Sequence, residues 1–238
     1  MAPGIGREAV QVQRIEVASP VLKKNDELAR ENHEMFESRG TVAVNLMSAP
    51  GAGKTTLLEK TLPELQCRFR CGVIEGDQRT DLDAERVRKT GVAAHQINTN
   101  SCHLDASMVH EAFAAAFPEP LDLLFIENIG NLVCPAAYDL GEHWRVTLFS
   151  VTEGADKPRK YPKMFYRSHA VVLNKIDLLP YTDVRLDELV ESVLAVSPEA
   201  AVFPVSCRTG EGLGAWIAWL AERVEQSSRV SAAAQKGM

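Results

Sequence analysis

A glycine-rich segment at 48–56 has the residue types and the spacing of a phosphate-binding loop. Glycines let backbone N–H groups curve around a phosphate without Cβ clashes, and the amino terminus of the next helix attracts the anion. We expect Lys54 to reach the terminal phosphates, with a catalytic role, and Thr55 to bind Mg²⁺. The alternative is an ordinary turn between a strand and a helix. The segment reads Ser48-Ala49-Pro50-Gly51-Ala52-Gly53-Lys54-Thr55-Thr56, with nucleotide contacts expected from Pro50 onward. Ser48 replaces the usual first glycine and fits the turn if its φ is negative.

A second segment has the form Asn-Lys-x-Asp and favours recognition of guanine. It is Asn174-Lys175-Ile176-Asp177, about 120 residues after the phosphate loop. The Asp177 carboxylate would accept two parallel hydrogen bonds from the ring N–H and the exocyclic amine of guanine, a donor pair that adenine lacks. We expect Asn174 to brace the loop and the base edge and the Lys175 stem to cover the ring. The same letters also occur as a turn that begins a helix, so their position after a predicted strand carries the argument.

A third loop, Ser206-Cys207-Arg208, also follows a predicted strand. GTPases place here a loop whose backbone N–H meets the guanine oxygen. We interpret Cys207 as a small residue beside the base rather than as a metal ligand.

Two acidic residues at strand ends are candidates for binding Mg²⁺ or orienting the attacking water. Glu127 begins Glu127-Asn128-Ile129-Gly130, where GTPases usually have Asp-x-x-Gly, and the Gly130 N–H is expected to sense the γ-phosphate. Asp77 ends another predicted strand. Either acid could instead cap its loop. We identify no arginine or glutamine as a catalytic finger, which predicts slow intrinsic hydrolysis.

Three residues with soft or borderline donor atoms form a candidate site for Zn²⁺ or Ni²⁺. Cys102 and His103 are adjacent in a polar loop, and Cys134 follows Glu127 by seven residues. Thiolate and imidazole suit both ions, and three ligands leave a coordination position open or available to a second chain. Spacing alone does not distinguish them from core or surface residues, since no Cys-x-x-Cys pair is present. Cys134 shares a loop with the predicted γ-phosphate sensor, which favours a metal site coupled to the nucleotide.

The elements that must position these residues alternate between strand and helix. This alternation predicts an α/β fold, a doubly wound, mostly parallel sheet with helices on both faces, of the P-loop NTPase type. We expect an N-terminal arm and helix at 1–40, one GTPase domain at 41–225 and a disordered tail at 226–238. Residues 153–162 are predicted to form a charged loop. Each motif falls just after a predicted strand, at the edge where such sheets bind ligands.

Composition excludes several classes of protein. The net charge is −6, without a basic tract of the kind that binds nucleic acid. We find no signal sequence and no apolar run near the roughly 18 residues of a membrane span. We therefore expect a cytoplasmic protein with no nucleic-acid or membrane partner. Five cysteines, an odd number, argue against a disulfide framework.

Taken together, the motifs resemble the HypB family of hydrogenase nickel-incorporation GTPases over about residues 20–225. The Cys-His pair and the Glu-Asn-x-Gly-Asn-x-x-Cys-Pro loop separate this family from other GTPases. The resemblance implies a homodimeric, metal-regulated GTPase that uses GTP, Mg²⁺ and Ni²⁺ or Zn²⁺. Its implied partners are a HypA-type nickel chaperone and the hydrogenase large subunit. The family's N-terminal Cys-x-x-Cys-Gly-Cys motif and a histidine-rich stretch are missing, so we expect neither a high-affinity N-terminal nickel site nor nickel storage.

Other functions compete with this interpretation. A urease-type nickel GTPase shares the fold class but is disfavoured by the Glu-Asn-x-Gly-Asn-x-x-Cys-Pro loop. A nickel or zinc carrier with a merely structural nucleotide would depend on the Cys-His pair and hardly on Asp177. An ATP-dependent assembly protein of the same broad fold is opposed by the segment at 174–177.

Overall fold

A seven-stranded parallel sheet lies at the centre of the computed structural model, which describes residues 20–77 and 82–236. The strands stand in the order β3-β2-β4-β1-β5-β6-β7, and every neighbouring pair is parallel. The order reverses at β1, so the carboxyl end of β1 is the crevice where such sheets bind ligands. The strands are β1 Val42–Ser48, β2 Cys71–Asp77, β3 Ala93–Asn98, β4 Leu123–Glu127, β5 Trp144–Ser150, β6 Ala170–Asn174 and β7 Ala201–Pro204.

Eight α-helices among the described residues cover both faces of the sheet, which confirms the predicted fold class. They are α1 Pro20–Ser38, α2 Lys54–Leu65, α3 Leu82–Arg88, α4 Ala106–Ala116, α5 Lys157–Lys160, α6 Pro162–Tyr166, α7 Leu186–Leu194 and α8 Leu213–Lys236. Short 3₁₀ helices lie at Pro135–Ala137, Val151–Glu153 and Ile176–Tyr181. Within the described residues, no helix is both long and apolar enough to cross a membrane.

The core is divided by the sheet, because successive strand residues point to opposite faces. On one face, α2 and α8 pack against alternate residues of β1, β4 and β6. On the other, α1 and α4 cover one half of the sheet, and α6 and α7 cover the other half. The central strands are buried on both sides, which explains their near-continuous apolar sequence.

Helix α1 is attached to the sheet by buried amide side chains as well as by apolar contacts. Phe36 is fully buried and meets Phe113 of α4 edge to face. Asn32 donates to the carbonyl oxygens of Ala106 and Leu140, at 2.8 and 3.0 Å. The side-chain amide of Asn32 is buried, and a buried amide is tolerated only when its N–H groups are hydrogen-bonded, as they are here. The predicted appended helix is therefore part of the packed structure.

Two segments differ from the sequence-based expectation. The charged stretch at 153–162 contains α5, because a proline at the first turn of a helix needs no N–H partner and Lys160 pairs with Asp156. Helix α8 continues to Lys236, although we predicted a disordered tail from 226. Residues 225–236 contain alanine and charged side chains but no glycine or proline, so nothing in them ends a helix. Residues 1–19 of the predicted N-terminal arm lie outside the described residues, as do residues 78–81.

The docking of α1 gives a first prediction, Gly141→Ala. Gly141 has φ +85°, and a Cβ there would lie 2.4 Å from the Ala29 carbonyl oxygen of α1. We expect the variant to lose about 1–3 kcal/mol of unfolding free energy beyond the cost of the backbone conformation, because α1 must move to make room for the Cβ. Gly40→Ala is the matched control: its φ is +67° but its Cβ would meet nothing within 4 Å, so only about 1 kcal/mol is expected. Denaturant unfolding measures both, and equal losses would contradict the close packing of α1.

Candidate functional site

The turn after β1 has the backbone of a phosphate-binding loop. Gly51 and Gly53 take positive φ angles of 76° and 105°. Gly53 also has no room for a side chain, since a Cβ would lie 2.7 Å from Nδ2 of Asn174. Lys54 begins α2 and is buried, and its Nζ donates to Oγ of Ser48 at 3.1 Å. Ser48 is the last residue of β1 and is not among the positive-φ residues, so the departure from the usual glycine is accommodated and its hydroxyl holds the lysine.

Two buried carboxyl groups lie beside this lysine. Oε1 of Glu127 accepts a hydrogen bond from Oγ1 of Thr55 at 2.9 Å and lies 3.9 Å from Nζ of Lys54. Glu75 of β2 stands opposite Glu127 of β4 in the strand register, and the two carboxyl groups share a hydrogen bond. Burial, followed by the charge of Glu127, raises the pKa of Glu75 well above its ordinary value. Burial also raises the pKa of Glu127, and Lys54 opposes that rise.

The acids retain unused hydrogen-bonding capacity. Among the described residues, Oε1 of Glu75 and Oε2 of Glu127 have no hydrogen-bond partner. Buried oxygens without partners are expensive, and several anionic oxygens close together are the ligands that Mg²⁺ prefers. The residues therefore fit a divalent cation beside Thr55, and Glu127 is one of the predicted ligands.

A cavity of about 550 Å³ joins the phosphate loop to these acids. It also contains Asp77, the second predicted acid, at the end of β2, and Gly130 of the loop after β4. A Cβ on Gly130 would lie 3.0 Å from Cα of Pro50, so this loop packs directly on the phosphate loop. The cavity is lined by Pro50, Gly51, Gly53, Lys54, Thr55, Thr56, Glu75, Gly76, Asp77, Asp83, Arg86, Glu127, Asn128, Ile129, Gly130 and Lys175.

Sequence reasoning missed two features of this cavity. Glu75 had a usable signal, because residues two apart on a strand share a face, which places it with Asp77. Arg86 of α3 had none. Its guanidinium donates to both carboxylate oxygens of Glu59, at 3.0 and 2.6 Å, and to Oγ1 of Thr56 at 3.1 Å. Those partners lie 27 and 30 residues earlier in the chain. Arg86 thereby ties α3 to the start of α2.

The Asn-Lys-x-Asp segment is bonded to the phosphate loop. Asn174 donates from Nδ2 to the Ala52 carbonyl oxygen at 2.9 Å and accepts at Oδ1 from the backbone N–H of Cys207 at 3.2 Å. Nζ of Lys175 donates to the Gly51 carbonyl oxygen at 2.7 Å. Among the described residues, Lys175 is the one non-glycine residue with positive φ, 65°. Strain of this kind is typical of functional loops.

The loop after β7 meets the predicted base-reading aspartate. Oγ of Ser206 donates to Oδ1 of Asp177 at 2.6 Å, and the guanidinium of Arg208 lies 3.8 Å from Oδ2. Cys207 is buried, and burial raises the pKa of its thiol to about 11. A neutral buried thiol away from the other cysteines fits the small-residue interpretation. The structure thus brings together all three loops predicted to bind nucleotide.

The three predicted soft ligands converge. Each of Cys102, His103 and Cys134 offers one donor atom, and these three atoms lie within 4.8 Å of one another. All three residues are half-buried. The His103 ring stacks on Tyr138 with centroids 3.8 Å apart. Burial lowers the pKa of His103, which favours the neutral imidazole that binds metals. This thiol–imidazole cluster, Cys102, His103 and Cys134, fits Zn²⁺ or Ni²⁺.

Asn131 connects the cluster to the cavity. Its Nδ2 donates to the Cys102 carbonyl oxygen at 3.3 Å, and its Oδ1 accepts from the backbone N–H of Cys134 at 3.4 Å. The loop 127–134 therefore contacts Thr55 at its first residue, the phosphate loop at Gly130 and the cluster at its end.

A second group of potential ligands, His33, Glu37 and His143, also lies within 4.8 Å but does not form a suitable metal site. Nδ1 of His143 accepts the Ala43 backbone N–H at 3.0 Å, so the proton of the neutral ring is on Nε2. No lone pair remains for a metal. Burial and His33 lower the pKa of His143 to about 4, consistent with a neutral ring. In this geometry His143 is a structural residue that accepts a backbone hydrogen bond.

The fold and the cavity define a P-loop nucleotide-binding protein with an adjoining thiol–imidazole cluster. The model of the CobW/HypB/UreG nucleotide-binding domain matches residues 42–204. The hydrogenase maturation factor HypB of Rhizobium leguminosarum bv. viciae is 50% identical over 219 residues, which is 92% of this chain and 72% of the relative.

Solved structures give the same result. HypB from Archaeoglobus fulgidus superposes with a TM-score of 0.80 at 38% identity, covering 85% of this chain and all of that one (100%). HypB from Helicobacter pylori in complex with nickel has a TM-score of 0.81 at 41% identity, covering 85% of this chain and 96% of that one. The chain belongs to the CobW/HypB/UreG family and, within it, to the HypB hydrogenase maturation factors.

The paired carboxyl groups give a second prediction, Glu75→Gln. An acid whose folded-state pKa is raised destabilises the fold as pH rises from its unfolded pKa through its folded pKa. We therefore expect the metal-free variant to have a higher melting temperature than wild type near about pH 8. A gain of about 1 kcal/mol in unfolding free energy would raise it by roughly 2–4 °C. The difference should shrink toward about pH 5.

Thermal melts in chelator across this pH range measure the effect. Glu64→Gln, on the exposed face of the same α2 that carries Lys54, is the control and should follow wild type. Identical pH dependence of Glu75→Gln and wild type would contradict the buried pair.

Proposed function

We propose that the protein is a GTPase that hydrolyses GTP to GDP and phosphate and assists nickel insertion into [NiFe]-hydrogenase. One observation carries this proposal. The single loop 127–134 begins at the hydrogen bond between Thr55 and Glu127 and ends at the cluster residue Cys134. A nucleotide and a soft metal bound at its two ends would act on the same segment. The name of the relative, hydrogenase maturation factor, supports the biological role.

The guanine preference rests on Asp177. Its Oδ1 is held by Ser206, and its Oδ2 has Arg208 at 3.8 Å. An ionised carboxylate offers only acceptors, and guanine offers two parallel donors at N1 and the exocyclic amine. Adenine lacks this donor pair and would make neither of the two bonds. Asn174 and Lys175 hold the base loop on the phosphate loop, so the two ends of the nucleotide are read by one connected structure.

We assign roles in the hydrolysis of the phosphate bond to Lys54, Thr55 and the carboxyl groups of Glu127 and Asp77. Lys54 neutralises charge that develops on the transferred phosphoryl group, and the amino terminus of α2 acts in the same direction. Thr55 and Glu127, with Asp77 nearby, would hold Mg²⁺, which supplies further charge stabilisation when bound. Asp77, which also lines the cavity, would orient the attacking water.

Nickel would be the cargo of the protein, bound at the thiol–imidazole cluster. Two thiolates and one neutral imidazole give three ligands, and Ni²⁺ accepts such donors. A related protein was solved in complex with nickel. The remaining coordination position suits a donor from a second copy of the chain or from a HypA-type chaperone. GTP-dependent homodimerisation and release to the hydrogenase large subunit complete the proposal.

Replacement of Asp177 by Asn gives a third prediction. The carboxamide places an N–H donor against a donor of guanine, so GTP affinity should fall about 100-fold, as two lost bonds to a charged group imply. Xanthosine triphosphate presents a carbonyl at that position and should bind the variant better than GTP does. Nucleotide titration calorimetry measures both.

Asp183→Asn is the matched control, since this exposed aspartate lies six residues further on in the same connection. It should bind GTP as wild type does. GTP binding by Asp177→Asn at wild-type strength, or wild-type binding of ATP as tight as GTP, would rule out the guanine assignment.

Coupling between the two ends of the loop gives a fourth prediction. Nickel affinity of wild type should differ between the GTP-analogue and GDP states by about 5–150-fold, the range of ordinary allosteric coupling. Asn131→Ala should shrink this ratio toward one, because it removes the bonds to Cys102 and Cys134 while leaving both sets of ligands. Val133→Ala, an exposed change in the same loop, should keep the ratio. Equal nickel affinity with GTP analogue, with GDP and with neither would overturn the coupling.

A further inference from the structure

Two of the five cysteines form a close pair, and neither is in a disulfide. The sulfur atoms of Cys102 and Cys134 lie within 4.8 Å of each other. Both side chains are half-buried, so a small oxidant reaches them. The other cysteines differ: Cys71 and Cys207 are buried, and Cys67 is exposed.

The backbone around the pair is held in place. Asn131 binds the Cys102 carbonyl oxygen and the Cys134 N–H with one side chain. A disulfide needs a sulfur–sulfur distance of about 2.05 Å, so rotation of the two side chains must bring the sulfur atoms closer together than they lie here. Neither cysteine lies inside an α-helix or a strand that would resist this rotation.

We propose that Cys102 and Cys134 form a reversible intramolecular disulfide when the metal-free protein meets a hydroperoxide. One thiolate attacks the peroxide, the O–O bond breaks, and a sulfenic acid and hydroxide result. The second thiol then displaces water from the sulfenic acid. Two protons and two electrons leave the pair and reduce the peroxide to two molecules of water or, for an organic peroxide, water and alcohol.

The disulfide removes two of the three donors of the thiol–imidazole cluster, so oxidation and metal binding exclude each other. This exclusion rests on the proposed metal site, whereas the disulfide itself does not. The oxidised protein would lack a nickel site until a thiol reductant restores it. The nucleotide-binding residues contain no cysteine except Cys207, which is buried, so nucleotide binding should survive mild oxidation.

The test treats the full-length, metal-free protein with hydrogen peroxide, blocks remaining thiols with a maleimide and measures intact mass and proteolytic peptides. The expected product carries three blocked thiols instead of five and one linked peptide pair containing Cys102 and Cys134. Dithiothreitol should restore all five. Cys102→Ser and Cys134→Ser should each abolish the linked pair, and Cys67→Ser should keep it.

Three results would overturn the proposal: a link between chains, a link that includes Cys67, or sulfinic acid on either cysteine without a linked pair. Circular dichroism tests whether both serine variants are folded. If they are, loss of the linked peptide pair results from loss of the thiol and not from unfolding.

A second set of measurements, with and without nickel, tests the disulfide separately from the proposed metal site. At free Ni²⁺ about ten times its Kd, oxidation should slow about tenfold, because only the metal-free fraction reacts. A disulfide that forms at the same rate with and without nickel would overturn the exclusion and count against the proposed metal site. A disulfide absent from metal-free protein that still binds nickel would overturn the disulfide alone.

Discussion

The hydrogen bond between Thr55 and Glu127 is the contact on which the site depends. It joins the start of α2 to the end of β4, and Lys54 lies close enough to share its charge. The parallel register places Glu75 directly beside Glu127, so two carboxyl groups are buried at one point with one lysine. Buried charge without full compensation is unfavourable. Burial raises the pKa of both carboxyl groups, and a divalent cation bound beside them would offset the cost of burying their charge.

The same strand end begins the loop that leads to the thiol–imidazole cluster. From Glu127 the chain passes Gly130, packed on Pro50, and reaches Asn131, which holds the cluster. A change at the phosphate site would reach Cys102 and Cys134 through these contacts. Coupling of this kind requires two loop arrangements with different affinities for the two ligands, and it acts in both directions. The proposed disulfide would hold the cluster in a third state, without metal.

The rest of the fold limits how far these parts can shift. Arg86 ties α3 to α2 by its bonds to Glu59 and Thr56, and the amide of Asn32 ties α1 to the loop before β5 and to α4. The central strands are buried on both faces, so the strand ends that bear Glu75, Glu127 and Asn174 keep their spacing. The mobile parts of the site are therefore expected in its loops rather than in the sheet.

The sequence by itself determined the parts of this protein that depend on neighbouring residues. The phosphate loop, the segment at 174–177 and the alternation of strands and helices are local patterns of backbone conformation and apolar period, and the parallel sheet and HypB membership follow from them. Only the tertiary structure decided which distant residues meet. Glu75 meets Glu127 through strand register, Arg86 meets Glu59 through helix packing, and Cys102 meets Cys134 across two connections. Register and packing are set by the whole buried core, and no local pattern in the chain encodes them.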